Sequence, residues 1–204
     1  MKQEIEKTLW QIIKRDAKRW IEGPFQERGE VNWDLKRVVF VLMLPQFQLV
    51  LRYRLYHWLS KNGYKFAAFL FYLNTHKKYS CDISLDAKIG AGLRIEHCAD
   101  VVIGPEAVIG REAIIYNGVT LGKRLGRSGV DGMPVLGDRV IVGTGAKLLG
   151  AIEIGDDARI GANSVVLSSV PANCSAVGSP ARILRDQARF SEEPQQSKVI
   201  NSYK

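Results

Sequence analysis

The sequence predicts a mainly β fold, a parallel β-helix of hexapeptide repeats preceded by an α-helical subdomain. Three observations predict it. Aliphatic residues recur at every sixth position between residues 83 and 166, glycine follows many of them, and small or aliphatic residues stand two places before them. A period of six fits neither an α-helix nor an alternating strand and matches the hexapeptide class of parallel β-helices. Because about three hexapeptides make one coil, we expect four to five coils.

The aliphatic positions form three runs, separated by two breaks in register. They are Ile83, Ile89, Ile95 and Val101; Ile103, Ile109, Ile115 and Leu121; and Leu136, Val142, Leu148, Ile154, Ile160 and Val166. At the first break the step from Ile95 to Ile103 is longer than six, and the added length surrounds His97, the only histidine of the repeat region. We therefore expect this corner to be lengthened for chemistry.

The second break lies between Leu121 and Leu136, whose spacing is not a multiple of six. Residues 123–134 are rich in glycine and carry several basic residues, so they are predicted to be extruded from the coil as a loop. A long loop on a rigid solenoid is a typical place for a binding site. A tolerated surface insertion is the alternative interpretation.

The part before the repeats predicts helices, with breaks at Gly23-Pro24, Pro45 and Asn62-Gly63. The predicted helices cover residues 4–20, 34–44, 46–60 and 64–76. At 204 residues the chain suits one or two small domains. The predicted organisation is an N-terminal helical subdomain (1–80), a β-helix domain (81–185) with the extruded loop, and a polar C-terminal tail (186–204).

The net charge of +8 lies in the first 80 residues, and residues 35–80 contain eight basic and no acidic residues among apolar runs. These runs are too short to span a bilayer. Either the helices pack on the β-helix and on sister subunits, or they form a basic surface that contacts anionic lipid or a lipid-linked substrate. No nucleic-acid-binding motif is present, so no nucleic-acid partner is expected. Three cysteines and no secretory signal predict a cytoplasmic protein, with the inner face of the membrane as the alternative.

Asp82 precedes His97 by slightly less than the length of one coil. A carboxylate beside the imidazole can fix its tautomer and leave the other nitrogen as a base. Such a pair can take a proton from an alcohol that attacks an acyl donor. One His and one Asp are by themselves more often structural than catalytic. Cys98 is interpreted as a small, half-buried filler rather than a nucleophile.

Residues 81–185 resemble the serine acetyltransferase family of hexapeptide-repeat acyltransferases. The segments that carry the resemblance are CDISLDAKIGAGLRIEHCADVVIGPEAVIG, YNGVTLG, VIVGTGAKLLGAIEIGDDARIGANSVVLSSVP and AVGSPARI. It implies a left-handed β-helix, a homotrimer with active sites between subunits, a dimer of trimers as a further assembly, and acetyl-CoA as co-substrate without a metal. It also implies His97 as general base and Asp82 as its partner. The implied acetyl-CoA contacts are Gly122, Lys123, Thr144 and Ala162 for the pantetheine arm, and Arg159 and Arg182 for the phosphates.

The chain departs from this family in the acceptor half of the site. Where the family has Asp-Arg-His-Pro in the loop, this chain has Asp131-Gly132-Met133-Pro134, and Glu96 replaces the aspartate before the histidine. The candidate substrate-binding residues are therefore Glu96, Asp131 and Met133. Glycine and methionine cannot bind a carboxylate as an arginine fork does.

These departures predict an acetyl-CoA-dependent O-acetyltransferase with a non-serine acceptor, a sugar of a surface polysaccharide. The alternatives are a serine O-acetyltransferase of cysteine biosynthesis and a non-catalytic β-helix scaffold. A metal-dependent hydrolyase of this fold would need several histidines, and the repeat region contains only His97.

Overall fold

The computed structural model describes residues 8–22, 34–124 and 132–184. Within them, four helices precede fifteen short strands. The helices are α1 (Leu9–Glu22), α2 (Leu35–Met43), α3 (Pro45–Lys61) and α4 (Lys65–Tyr79). The strands are β1 (Asp82–Ile83), β2 (Lys88–Ile89), β3 (Arg94–Glu96), β4 (Val102–Ile103), β5 (Val108–Ile109), β6 (Ile114–Tyr116), β7 (Thr120–Gly122), β8 (Val135–Leu136), β9 (Ile141–Val142), β10 (Lys147–Leu149), β11 (Glu153–Ile154), β12 (Arg159–Ile160), β13 (Val165–Val166), β14 (Ser175–Gly178) and β15 (Ala181–Leu184).

The strands stack into three parallel sheets that form the faces of a β-helix, as predicted. The sheet orders are β1-β4-β7-β10-β13, β11-β8-β5-β2 and β15-β14-β12-β9-β6-β3, and only the β14–β15 pair is antiparallel. All fourteen six-residue aliphatic positions are at most 9% exposed, because they point into the interior of the coil. The small residues two places before them are buried as well, so the hexapeptide pattern describes the core of the solenoid.

Both register breaks change the length of a coil. A regular coil takes three hexapeptides, as from Val102 to its partner Thr120. The coil that contains His97 is longer than this, since Asp82 pairs with Val102. The coil that contains the predicted loop is longer still, since Thr120 pairs with Lys147. The paired strands keep their register, so the added length falls between β3 and β4 in the first of these coils and between β7 and β8 in the second.

Most helix ends lie within two residues of the predicted ones, and the C-terminal end of α4 lies three residues beyond its predicted end. The first described helical residue is Leu9, and the prediction for residues 4–7 lies outside the described residues. Two helices meet near Pro45 as predicted, but Pro45 is the first residue of α3 rather than a residue between them, because a proline at the first helical position loses no intrahelical hydrogen bond. Helix α4 continues to Tyr79 and ends at Ser80, which has a left-handed φ of 51°.

A buried ion pair fastens α1 and α3 to the first coil. Arg54 Nε donates to Asp16 Oδ2 at 2.9 Å, and the two residues are only 4% and 1% exposed. Asp16 Oδ1 also accepts from the backbone amides of Gly92 and Leu93, at 2.7 and 3.1 Å. Arg54 Nη2 donates to the carbonyl of Gly90 at 2.7 Å. Arg54 is therefore an internal anchor and does not belong to the basic surface that the sequence suggested.

Helices α2 and α4 leave several large apolar side chains exposed: Leu35, Val39, Phe40, Leu42, Met43, Phe66, Phe69 and Leu70. Within the described residues no single helix has the length and apolar character to cross a membrane. Helices α2 and α3 meet that test only as a pair, and they are bent by 78° at the break between them.

Candidate active site

His97 lies in the corner that joins β3 to β4, which we call the His97 corner (residues 97–101). Its backbone has a left-handed φ of 54°, and Asp100 has one of 55°. The amide of Asp100 donates to the carbonyl of Ser80 at 3.1 Å, and the amide of Asp82 donates to the carbonyl of Val101 at 2.8 Å. The corner is thus laid against the start of the first coil, and the exposed His97 lies at the same edge of the solenoid as Asp82.

The carboxylate of Asp82 is oriented from the helical region. Tyr72 of α4 donates its hydroxyl to Asp82 Oδ1 at 2.8 Å. No described residue donates to the second carboxylate oxygen, and no hydrogen bond joins Asp82 to His97 within the described ranges. The catalytic roles of Asp82 and His97 therefore stay predictions.

Sequence reasoning missed Tyr72, because a tyrosine in a predicted helix shortly before Asp82 gives no signal of this contact. Burial, and then the hydrogen bond to Asp82, raise the pKa of Tyr72 to about 12, so the phenol stays a donor at neutral pH. The ring stacks on His76 with centroids 6.1 Å apart and meets Tyr56 edge-on at 6.0 Å. Helix α4 thereby orients Asp82, the residue that the resemblance implies as the partner of His97.

Two of the predicted acetyl-CoA contacts lie on one ladder with His97. Strands β3, β6, β9 and β12 are in register, so the residues that directly follow them lie at one corner of the solenoid: His97, Asn117, Thr144 and Ala162. Backbone hydrogen bonds keep the last three in register, whereas at the His97 corner the amide of Gly118 donates to the carbonyl of Ala99. Thr144 Oγ1 donates to Asn117 Oδ1 at 3.2 Å, and both Thr144 and Ala162 are exposed. Exposed residues of this ladder thus follow one corner of the solenoid, with His97 at one end.

The other predicted acetyl-CoA contacts lie elsewhere on the chain. Gly122 ends β7 in the five-stranded sheet and Lys123 follows it, so both lie across that sheet from the ladder. Arg159 and Arg182 are exposed on β12 and β15 of the six-stranded sheet. One chain therefore brings Thr144 and Ala162 together with His97 but keeps Gly122 and Lys123 at the opposite edge.

The candidate acceptor residues are in three different situations. Asp131 lies outside the described residues. Met133 is 7% exposed and packs against Gly104, where a side-chain carbon would collide with its Cε, so its side chain fills the core next to Gly104. Glu96 accepts a hydrogen bond from Arg94 Nε, a partner that the sequence analysis did not identify. Acceptor binding by these residues stays a prediction. The burial of Met133 does not support a direct contact between its side chain and the acceptor.

Cys98 is half-buried and packs against the core of the β-helix. Burial raises the pKa of its thiol, so the protonated form predominates at neutral pH. The reactive form of cysteine is the thiolate. The site thus offers an imidazole and a carboxylate for acid–base chemistry next to a thiol that is poorly suited to attack.

Comparison with known proteins agrees with this geometry. The family description "Bacterial transferase hexapeptide (six repeats)" matches residues 133–168. A serine acetyltransferase of Helicobacter pylori is 45% identical over 144 residues, which are 71% of this chain and 84% of the relative. The chain belongs to the serine acetyltransferase family. It is accordingly an acetyl-CoA-dependent acyltransferase.

Solved structures of the family share the fold. A Brucella abortus serine acetyltransferase in complex with coenzyme A has a TM-score of 0.71 and 34% identity, with 85% of this chain and 66% of that chain covered. A soybean serine acetyltransferase complexed with serine has a TM-score of 0.71 and 32% identity, with coverage of 86% and 69%.

The prediction of a non-serine acceptor, a polysaccharide sugar, is wrong. Relatives that are 40–45% identical over 71% of this chain are serine acetyltransferases. The prediction rested on two substituted loop residues, Gly132 and Met133. The rest of the β-helix matches this family, so these two residues were given too much weight.

Proposed function

We propose that this chain is a serine O-acetyltransferase that acts in cysteine biosynthesis. The observation that carries the proposal is the 45% identity with a serine acetyltransferase over 71% of the chain. The stretch that contains the His97 corner belongs to the same β-helix that the solved family members have. The loop departures at Gly132 and Met133 would change how the acceptor is bound, and neither residue belongs to the ladder that contains Thr144 and Ala162.

His97 would act as general base, with its tautomer fixed by Asp82 and the hydroxyl of Tyr72 orienting that carboxylate. The serine oxygen attacks the thioester carbonyl while its proton passes to the imidazole. A backbone amide near Gly122 or Thr144 would stabilise the oxyanion. The carbon–sulfur bond then breaks, and the departing thiolate recovers the proton. This direct transfer needs no covalent enzyme intermediate.

The first experiment incubates the purified chain with acetyl-CoA and L-serine and measures both thiol release and product mass. We expect stoichiometric formation of CoA and O-acetylserine. Thiol release with a neutral sugar but none with serine would contradict the proposal. A chain that neither releases thiol nor shows a thermal shift with CoA would contradict enzyme function altogether.

We propose that the chain works as a homotrimer with each acetyl-CoA bound between neighbours. Support comes from the separation of Gly122 and Lys123 from the ladder, because neighbouring solenoids can bring opposite edges of the five-stranded sheet to one groove. Along the four-stranded sheet, an open apolar groove of about 410 Å³ is lined by Val135, Ile154 and Val170, among others. Such a surface suits a neighbouring subunit.

We further propose a cytoplasmic protein whose exposed α2 and α4 side chains pack on sister subunits, with a dimer of trimers as the larger assembly. The three cysteines are free, which suits a reducing compartment.

Light scattering should give a multiple of three chains. Phe40→Ser combined with Phe66→Ser should reduce a hexamer to trimers, because these rings are 64% and 75% exposed in the isolated chain. Flotation with anionic vesicles, lost in the same variant, would instead indicate membrane contact.

A further inference from the structure

Arg94 and Glu96 form a charged pair next to the His97 corner. Both lie on β3 on either side of Ile95, which is fully buried, so their side chains share the outer face of the solenoid. Arg94 Nε donates to Glu96 Oε1. Glu96 directly precedes His97, so the pair lies beside the residue that is predicted to take the acceptor's proton.

Helix α1 holds the guanidinium of Arg94 in place. Its Cζ lies 4.2 Å from the centroid of the Trp20 ring, and its Nη1 donates to the carbonyl of Arg19 at 3.4 Å. The Arg94 side chain is only 11% exposed. Stacking on an aromatic face together with a second anchor restricts the orientation of a guanidinium, so its remaining edge is pre-organised.

Around Arg94, several hydrogen-bond donors have no acceptor among the described residues. A guanidinium has five N–H groups, and the described residues accept from two of those of Arg94. The indole Nε1 of Trp20 is buried and has no acceptor within the described residues. Buried donors without acceptors are unfavourable, so an anion bound here would be stabilised by N–H groups that are already desolvated.

We propose that Arg94 binds the carboxylate and Glu96 the ammonium group of the amino-acid acceptor, with Trp20 Nε1 as an additional donor to the carboxylate. The inference rests on the proposed function. Arg94, two positions before Glu96, would supply the guanidinium that the loop lacks at Gly132. A zwitterion placed across the ion pair gives each of the four charges an opposite neighbour.

The test compares L-serine with L-serinamide, which keeps the hydroxyl and the amine but has no carboxylate. In the unaltered enzyme we expect a higher kcat/KM for serine. In Arg94→Gln the ratio of serine to serinamide should fall roughly 10- to 100-fold, because a hydrogen-bonded charge pair is lost. The ratio is the readout, because Arg94 is also the partner of Glu96, which would bind the ammonium group of both acceptors. The KM for acetyl-CoA should stay within about twofold.

Trp20→Phe keeps the aromatic face beneath Arg94 and removes only the indole N–H. We expect its serine-to-serinamide ratio to fall roughly two- to tenfold, as for loss of a single hydrogen bond. Arg139→Gln is the matched control, because Arg139 also pairs with a carboxylate, that of Asp157 at 2.6 Å, on another part of the solenoid. Its ratio should not change.

The outcomes separate this inference from the proposed function. If the unaltered enzyme does not acetylate serine, the proposed function fails. If it does, and Arg94→Gln and Trp20→Phe both leave the ratio unchanged, the carboxylate site is wrong. A parallel loss for both acceptors in Arg94→Gln, with Trp20→Phe unaffected, also overturns it, because that pattern belongs to a purely structural role.

Discussion

Replacing His97 with alanine is expected to lower kcat about 10²- to 10⁴-fold, the range that general-base catalysis supplies. His97 is exposed at a lengthened corner and makes no core contact that the fold needs. The Kd for CoA should therefore stay the same, as measured by calorimetry, because Thr144 and Ala162 are untouched. Steady-state release of CoA thiol with serine as acceptor measures the effect.

His57→Gln is the matched control for this variant. His57 is half-buried, and its Nδ1 lies 2.8 Å from the carbonyl of Leu85, away from the His97 corner. Its kcat should stay within about twofold of the unaltered enzyme. Retention of most of the activity in His97→Ala would overturn the assignment of the base, whatever the result for His57.

Replacing Asp16 with alanine is expected to destabilise the chain by about 3–5 kcal/mol, the cost of breaking a buried ion pair from one side. The change leaves the guanidinium of Arg54 buried without its partner and removes the acceptor of the amides of Gly92 and Leu93. Thermal unfolding should move down by roughly 10 °C for a chain of this size. Amide exchange in α1 should increase, because its anchor on the first coil is lost.

Two variants test the cause of this loss. Asp16→Ala with Arg54→Met should recover part of the stability, since no unpaired charge stays buried. The amides of Gly92 and Leu93 still lack their acceptor, so the recovery should be incomplete. Asp157→Ala breaks the exposed pair with Arg139 and should cost at most about 1 kcal/mol. An Asp16→Ala loss as small as that of Asp157→Ala would show that the buried pair does not anchor α1.

The β-helix was predictable because its interior repeats at every sixth position. Each aliphatic position, from Ile83 to Val166, packs on its counterpart in the next coil. The periodicity of the sequence therefore predicts directly which residues are buried. The register breaks were predictable for the same reason, and the two lengthened coils account for them. The helix ends were less certain, because Pro45 and Tyr79 depend on capping and packing rather than on period.

The site was predictable only in part. The spacing of Asp82 and His97 predicted that the two residues lie near each other, about one coil apart. The register of the strands brings the His97 corner to the edge that carries Asp82. The contacts of Tyr72 with Asp82 and of Trp20 with Arg94 were not predictable, because they join helices to strands without any repeating pattern. The loop substitutions at Gly132 and Met133 pointed to the wrong acceptor for a similar reason. A motif shows which group is missing at its own position and not which distant residue could supply it.

The sequence by itself determined the solenoid, its two irregular coils and the candidate base His97, since these depend on short-range repeats. The use of acetyl-CoA was implied by the resemblance of the repeat segments to the serine acetyltransferase family. Only the tertiary structure decided that Arg54 is an internal anchor paired with Asp16, that Met133 fills the core, and that Arg94 lies pre-oriented beside Glu96. The physical reason is that burial and ion pairing of single side chains depend on which helix covers which coil. That arrangement is set by contacts between distant segments, and no periodicity in the chain records them.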